Sequence, residues 1–185
     1  MLKKLIPAVI ALICASPAMA VVLGGEIVDQ RGNGKFVLLE TKTPFAVGAD
    51  NFNTDNLYAF DEDQNIVLKE PIRVDIGGDR GIIAQGETIA SHYVFFDSLA
   101  GAHIGFVDFD APILGIAAFQ HTMAATDYLA NNNVNYISTE LRGLERGDRV
   151  WIDRKDPNRL WVLWAGSSPG DYIRVFTERS PAAMM

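Results

Sequence analysis

Short apolar runs rich in Val, Ile, Phe, Tyr and Trp alternate along this chain with clusters of Gly, Asn, Asp and Pro. That rhythm leaves little room for long helices and predicts an all-β domain, an antiparallel β-sandwich of jelly-roll type with one short helix. Arg31-Gly32-Asn33-Gly34-Lys35 carries the Asn-Gly pair of a type I′ turn and predicts a hairpin joining strands near 26–30 and 36–41. Asp61-Glu62-Asp63-Gln64 reads as an acidic turn between strands at 57–60 and 65–68. Further strands are expected at 72–76, 88–96, 104–110 and 113–119. A hairpin is expected at 149–153 and 160–164 around Asp156-Pro157-Asn158-Arg159. Ser168-Pro169-Gly170-Asp171 suits a type II turn before a closing strand at 172–177. The helix is expected at 123–129, capped by Thr122 and ended by Asn131-Asn132-Asn133.

The N-terminus follows a different pattern. Met1-Leu2-Lys3-Lys4 precedes an apolar run from Leu5 to Ala15, and Ala18-Met19-Ala20 forms an A-x-A box. This is the layout of a cleavable signal peptide over 1–20, and the apolar run is shorter than the roughly 20 residues a membrane span needs. Cleavage after Ala20 is expected to release one domain over 21–178 with a tail over 179–185, secreted or periplasmic and without a membrane anchor. It would also remove the only cysteine, Cys14. Disulfides, thiol nucleophiles and zinc-thiolate sites are then excluded from the mature chain. The full chain has a net charge of −7. Losing Lys3 and Lys4 makes the remainder more acidic, a poor surface for nucleic acid.

Several residues invite a chemical reading. Asp50, Asn53 and Asp55 recur at short spacing in a polar loop, with Asp61 and Asp63 close behind. Oxygen donors in that pattern suggest Ca²⁺, although the loop lacks the glycine and closing Glu of an EF-hand and also reads as an Asx-rich turn. Asp108 and Asp110 share a strand face about 7 Å apart, a spacing glycosidases use for paired carboxylates, and equally the pattern of a solvated strand face. His92, His103 and His121 stand singly, without metal-site or triad spacing. Trp161 and Trp164 could stack on sugar rings. Three residues apart on a strand they point to opposite faces, so at most one faces solvent. With Trp151 they also suit core packing. Arg146-Gly147-Asp148 matches the adhesive R-G-D tripeptide, in a context where a turn explains the same residues.

Four segments carry a family resemblance: 55–62, with Asp55-Asn56-Leu57-Tyr58; 91–97, with Ser91-His92-Tyr93; 107–115, with Val107-Asp108-Phe109-Asp110; and 141–175, from Leu141-Arg142-Gly143 onward. Together they resemble a group of uncharacterised secreted bacterial proteins, some of which carry C-terminal PEP-CTERM sorting anchors. The resemblance implies structural roles for these segments and transfers no activity; the anchor helix is not in this sequence. The functional expectation is an exported, non-enzymatic β-sandwich of unspecified role in binding or extracellular structure, with a glycan or matrix component as the candidate partner. The alternatives are a carbohydrate-active enzyme or glycan-binding module acting on cell-surface polysaccharide, and a calcium-stabilised structural module.

Overall fold

The computed structural model describes residues 21–166 and 170–179. The leader at 1–20, Ser168 and Pro169 of the expected type II turn, and tail residues 180–185 lie outside these. In chain order the strands are β1 (Val22–Arg31), β2 (Phe36–Leu38), β3 (Phe45–Val47), β4 (Leu57–Asp61), β5 (Ile66–Val67), β6 (Ile72–Arg73), β7 (Ile76–Gly77), β8 (Ile82–Ile83), β9 (Thr88–Phe96), β10 (Ala102–Phe109), β11 (Ile113–Ala117), β12 (Val134–Tyr136), β13 (Arg149–Ile152), β14 (Arg159–Ala165) and β15 (Asp171–Glu178). The helix α1 (Gln120–Ala125) is followed by a 3₁₀ turn at Asp127–Leu129.

The all-β expectation holds. A four-stranded sheet, β1-β10-β14-β13, faces a larger one, β2-β4-β9-β15-β11-β7, with β5 also on β9. Val22, Val107, Phe109, Leu160, Val162 and Trp164 of the first pack against Leu57, Ala59, Val94, Phe96, Ile173 and Val175 of the second. The expected 149–153/160–164 hairpin is present, with Trp151 opposite Trp161.

The larger sheet has a second apolar face. Tyr58, Phe60, Tyr93, Phe95, Tyr172 and Phe176 pack there under α1, the parallel pair β3–β12 and the pair β6–β8. From Ile89 to Phe96 every β9 residue is buried. Burial on both faces explains why the strands at 88–96 and 172–177 read as nearly continuous apolar runs.

Three local expectations need correction. The Asn33-Gly34 segment is no hairpin: β1 pairs with β10, whereas β2 runs parallel to β4 in the other sheet. The segment carries the chain between sheets, and a Cβ on Gly34 would collide with the Asp55 carbonyl oxygen, so glycine serves close approach here. The acidic turn is a bulge: β4 and β5 lie end to end along β9, with Asp61 opposite His92 and Ile66 opposite Ile89. Between them Glu62 N–H donates to Ser91 O, and Ser91 N–H donates to Asp63 O. The helix begins at Gln120, before the expected start, with Phe119 at its N-cap and the expected cap Thr122 inside its first turn. The Asp75 carboxylate accepts the N–H groups of Ala118 (2.7 Å) and Phe119 (3.0 Å) and the Thr122 hydroxyl.

Candidate functional site

Among the described residues nothing packs on the outer face of the four-stranded sheet, and its cross-strand register gathers aromatic rings there. Residues 104, 106 and 108 of β10 alternate outward with buried 103, 105, 107 and 109. Arg159, Trp161 and Leu163 of β14 do the same against buried Leu160, Val162 and Trp164. Pairing puts Glu26, Phe106, Trp161 and Trp151 in one row across β1, β10, β14 and β13. The indoles of Trp151 and Trp161 are parallel, 6° apart in plane, with centroids 6.0 Å apart. Phe106 meets Trp161 edge-on at 5.3 Å. Trp151 is 38% exposed.

Polar groups border the row. Arg159 makes a two-pronged pair with Asp108, at 2.6 and 2.8 Å, and its guanidinium carbon stands 3.8 Å above the Phe106 ring. The Trp161 indole N–H donates to Asp153 at 2.7 Å. The Lys155 N–H, and next the Trp161 indole, hold the Asp153 carboxyl below the usual carboxylate range. Arg149, exposed on β13, shares a face with Trp151. A flat apolar strip edged by fixed donors and acceptors suits a ligand with an apolar face and a polar rim.

Of the two tryptophans singled out from sequence, Trp161 lies on this strip. Trp164 is 1% exposed and belongs to the inter-sheet core. Phe106, Trp151 and Arg159 were missed as site members. Their signal was available in part, since Phe106 has the same strand parity as Asp108 and Trp151 faces Trp161 across the hairpin.

The proposed calcium ligands fall into two places. Asp50 and Asn53 adopt positive φ in a loop organised by Asp97, whose carboxylate accepts Asp50 N–H (3.1 Å) and Phe52 N–H (2.8 Å). Asp55 accepts the Ser98 hydroxyl at 2.6 Å. Asp61 and Asp63 lie at or beyond the other end of β4, about 13 Å along a strand. Asp61 there binds His92 Nδ1 at 2.7 Å, and Asp63 takes Gln64 N–H at 3.0 Å. Among the described residues no three His, Asp or Glu side chains gather as a metal site would require.

Asp108 is paired with Arg159, and Asp110, just past β10, accepts Val21 N–H at 3.0 Å. His92 bridges Asp61 and Thr177, an Asp-His-Thr chain, yet His92 and Thr177 are both 0% exposed, so no substrate reaches the hydroxyl. His121 is exposed, 4.0 Å from Asp75. Asp148 of the R-G-D tripeptide accepts Ala165 N–H at 2.9 Å, which ties it to β14. A groove of about 670 Å³ runs between 66–73 and Ala125, Tyr128 and Leu129. A hydrogen-bonded cluster is enclosed beneath α1, where Arg174 and Glu62 form a fully buried ion pair.

Compared with known proteins, the chain matches no family model, no curated protein sequence and no solved structure.

Proposed function

We propose that the protein is an exported carbohydrate-binding domain that holds a polysaccharide across the Trp151–Trp161–Phe106 row without cleaving it. The row itself carries the reading: three aromatic side chains in one register on the uncovered sheet face, with Asp153, Arg159 and Asp108 fixed at its margins. Sugar rings offer apolar C–H faces to the rings and hydroxyls to the charged rim. Binding fits the site better than turnover, because Asp108 is held by Arg159 and Asp110 by the Val21 N–H just before β1. Export rests on the leader pattern at 1–20.

Titration with a panel of soluble polysaccharides, followed by tryptophan emission, tests this. Trp151 and Trp161 respond to a ligand, whereas Trp164 stays buried as a constant background. Trp161→Ala is expected to weaken binding at least about tenfold, roughly 1.4 kcal/mol, in keeping with aromatic hot spots. Its circular dichroism should match that of the unsubstituted protein. No emission change with any glycan would refute the reading.

A further inference from the structure

The first described residue is held by a carboxylate. Val21 N–H donates to Asp110 Oδ1 at 3.0 Å, and Asp110 N–H donates back to Val21 O at 3.2 Å. Val22 N–H donates to Asp61 Oδ1 at 3.0 Å, and Asp61 in turn binds His92. The Val22 side chain is already in the inter-sheet core, 3% exposed, opposite Phe109. The chain therefore enters the sandwich with no slack after residue 21. Quite separately, the Ala18-Met19-Ala20 box places the scissile bond of the leader between Ala20 and Val21.

We infer that processing builds an ion pair into the fold: hydrolysis of the Ala20–Val21 bond leaves an α-ammonium on Val21 that binds the Asp110 carboxylate and locks the start of β1 onto the sandwich. Water supplies the oxygen of the new Ala20 carboxylate, and the released amine takes up a proton. An α-amino group titrates near 8, so it is largely charged at neutral pH. Before cleavage the same nitrogen is a neutral amide. Afterwards its hydrogen bond to Asp110 is charge-assisted, a class roughly twice as strong as its neutral counterpart. Asp61, receiving the next N–H, anchors the following residue as well. Because β1 is an edge strand of the four-stranded sheet, fastening the residue just before it restrains the end most prone to fray.

The inference rests on the export half of the proposed function, and the test separates the two. The full-length precursor is exported from a bacterial host and the mass of the product is measured. A chain that keeps its leader sinks the export reading; a product starting at Val21 supports it. Thermal melts at pH 7 then compare this product with one from a precursor carrying a single alanine inserted between Ala20 and Val21, which moves the ammonium off residue 21 and restores an amide there. The Val21 product is expected to melt about 3 °C higher, a sizeable shift for a domain of this length. Asp110→Asn in both backgrounds should reduce that gap to within about 1 °C, since the charge partner is gone. Coincident melts of the Val21 and alanine-inserted products overturn the ion pair even if Asp110→Asn fails to fold. A gap that survives Asp110→Asn overturns it as well.

Discussion

Replacing Arg174 with leucine is expected to lower the thermal midpoint by about 10 °C, because losing one partner of a buried ion pair costs about 3–5 kcal/mol and a domain of this size shifts about 2–4 °C per kcal/mol. Arg174 projects from β15 beneath α1, and neither it nor the Glu62 side chain is exposed. Its Nε and Nη2 donate to the two Glu62 oxygens at 2.6 and 2.9 Å. Nη1 reaches Met123 O, Thr126 Oγ1 and Asp127 Oδ1. Asp127 also accepts from Nη1 and Nη2 of Arg142, both at 2.7 Å. Glu62 collects the Ser91 hydroxyl at 2.7 Å and the Tyr136 hydroxyl at 2.6 Å. One guanidinium thus fastens the 62–65 bulge and the α1 segment to the sheet. Arg174→Lys should recover little, since an ammonium cannot reproduce the planar fork. Arg174→Leu combined with Glu62→Leu should recover only part, because the Tyr136 and Ser91 hydroxyls lose their acceptor. Urea or thermal unfolding measures each variant. An Arg174→Leu midpoint within 3 °C of the parent would contradict this account.

That network also marks where sequence reading stops. Ile173 and Val175 alternate with Tyr172, Arg174 and Phe176, and the structure keeps those two faces. Alternation cannot say that the arginine face is buried too; the layer covering it comes from β3, β6, β8, β12 and α1, distant in sequence. Glu62 sits between Asp61 and Asp63 in a run of three acids, and nothing local distinguishes the buried member from its neighbours. The start of α1 differs from expectation in the same way, since the segment entering it is held by Asp75, 43 to 47 residues away in sequence. Parity was enough to separate Trp161 from Trp164. Choosing which of them faces solvent, and adding Phe106 and Trp151, required the pairing of β10, β14 and β13. The all-β class was legible because turn residues and strand periodicity are local; the Asn33-Gly34 segment failed because a crossing between sheets uses the same residues as a hairpin.

Stability between pH 4 and 8 should be shaped by two buried groups that pull in opposite directions. His103 is 4% exposed, lies against Phe96 and Trp164, and has no hydrogen-bond partner on either ring nitrogen among the described residues. Burial pushes its pKa from 6.5 down to about 4, partly countered by the negative charge of Asp55. The unfolded chain therefore binds a proton below pH 6.5 that the folded chain refuses until about pH 4, and stability falls on acidification by about 1.4 kcal/mol per pH unit, about 3 kcal/mol in all. Asp171, 1% exposed, behaves in the opposite sense. Burial, and next the adjacent Asp148 carboxylate, push its pKa from 3.8 up to about 8. The unfolded chain gives up that proton above pH 3.8 while the folded one keeps it, so Asp171 favours the folded state at low pH and this contribution is lost as pH rises toward 8. From pH 4 to 6.5 the two slopes nearly cancel, and above 6.5 the Asp171 slope alone remains. Urea unfolding from pH 4 to 8.5 should show a plateau followed by a decline. His103→Leu should turn the plateau into a continued rise toward pH 4. Asp171→Asn should remove the decline above 6.5 and expose a loss below it. If His103→Leu leaves the acid limb unchanged, His103 does not stay neutral in the folded core; if Asp171→Asn leaves the alkaline limb unchanged, burial does not hold the Asp171 carboxyl protonated in the folded state.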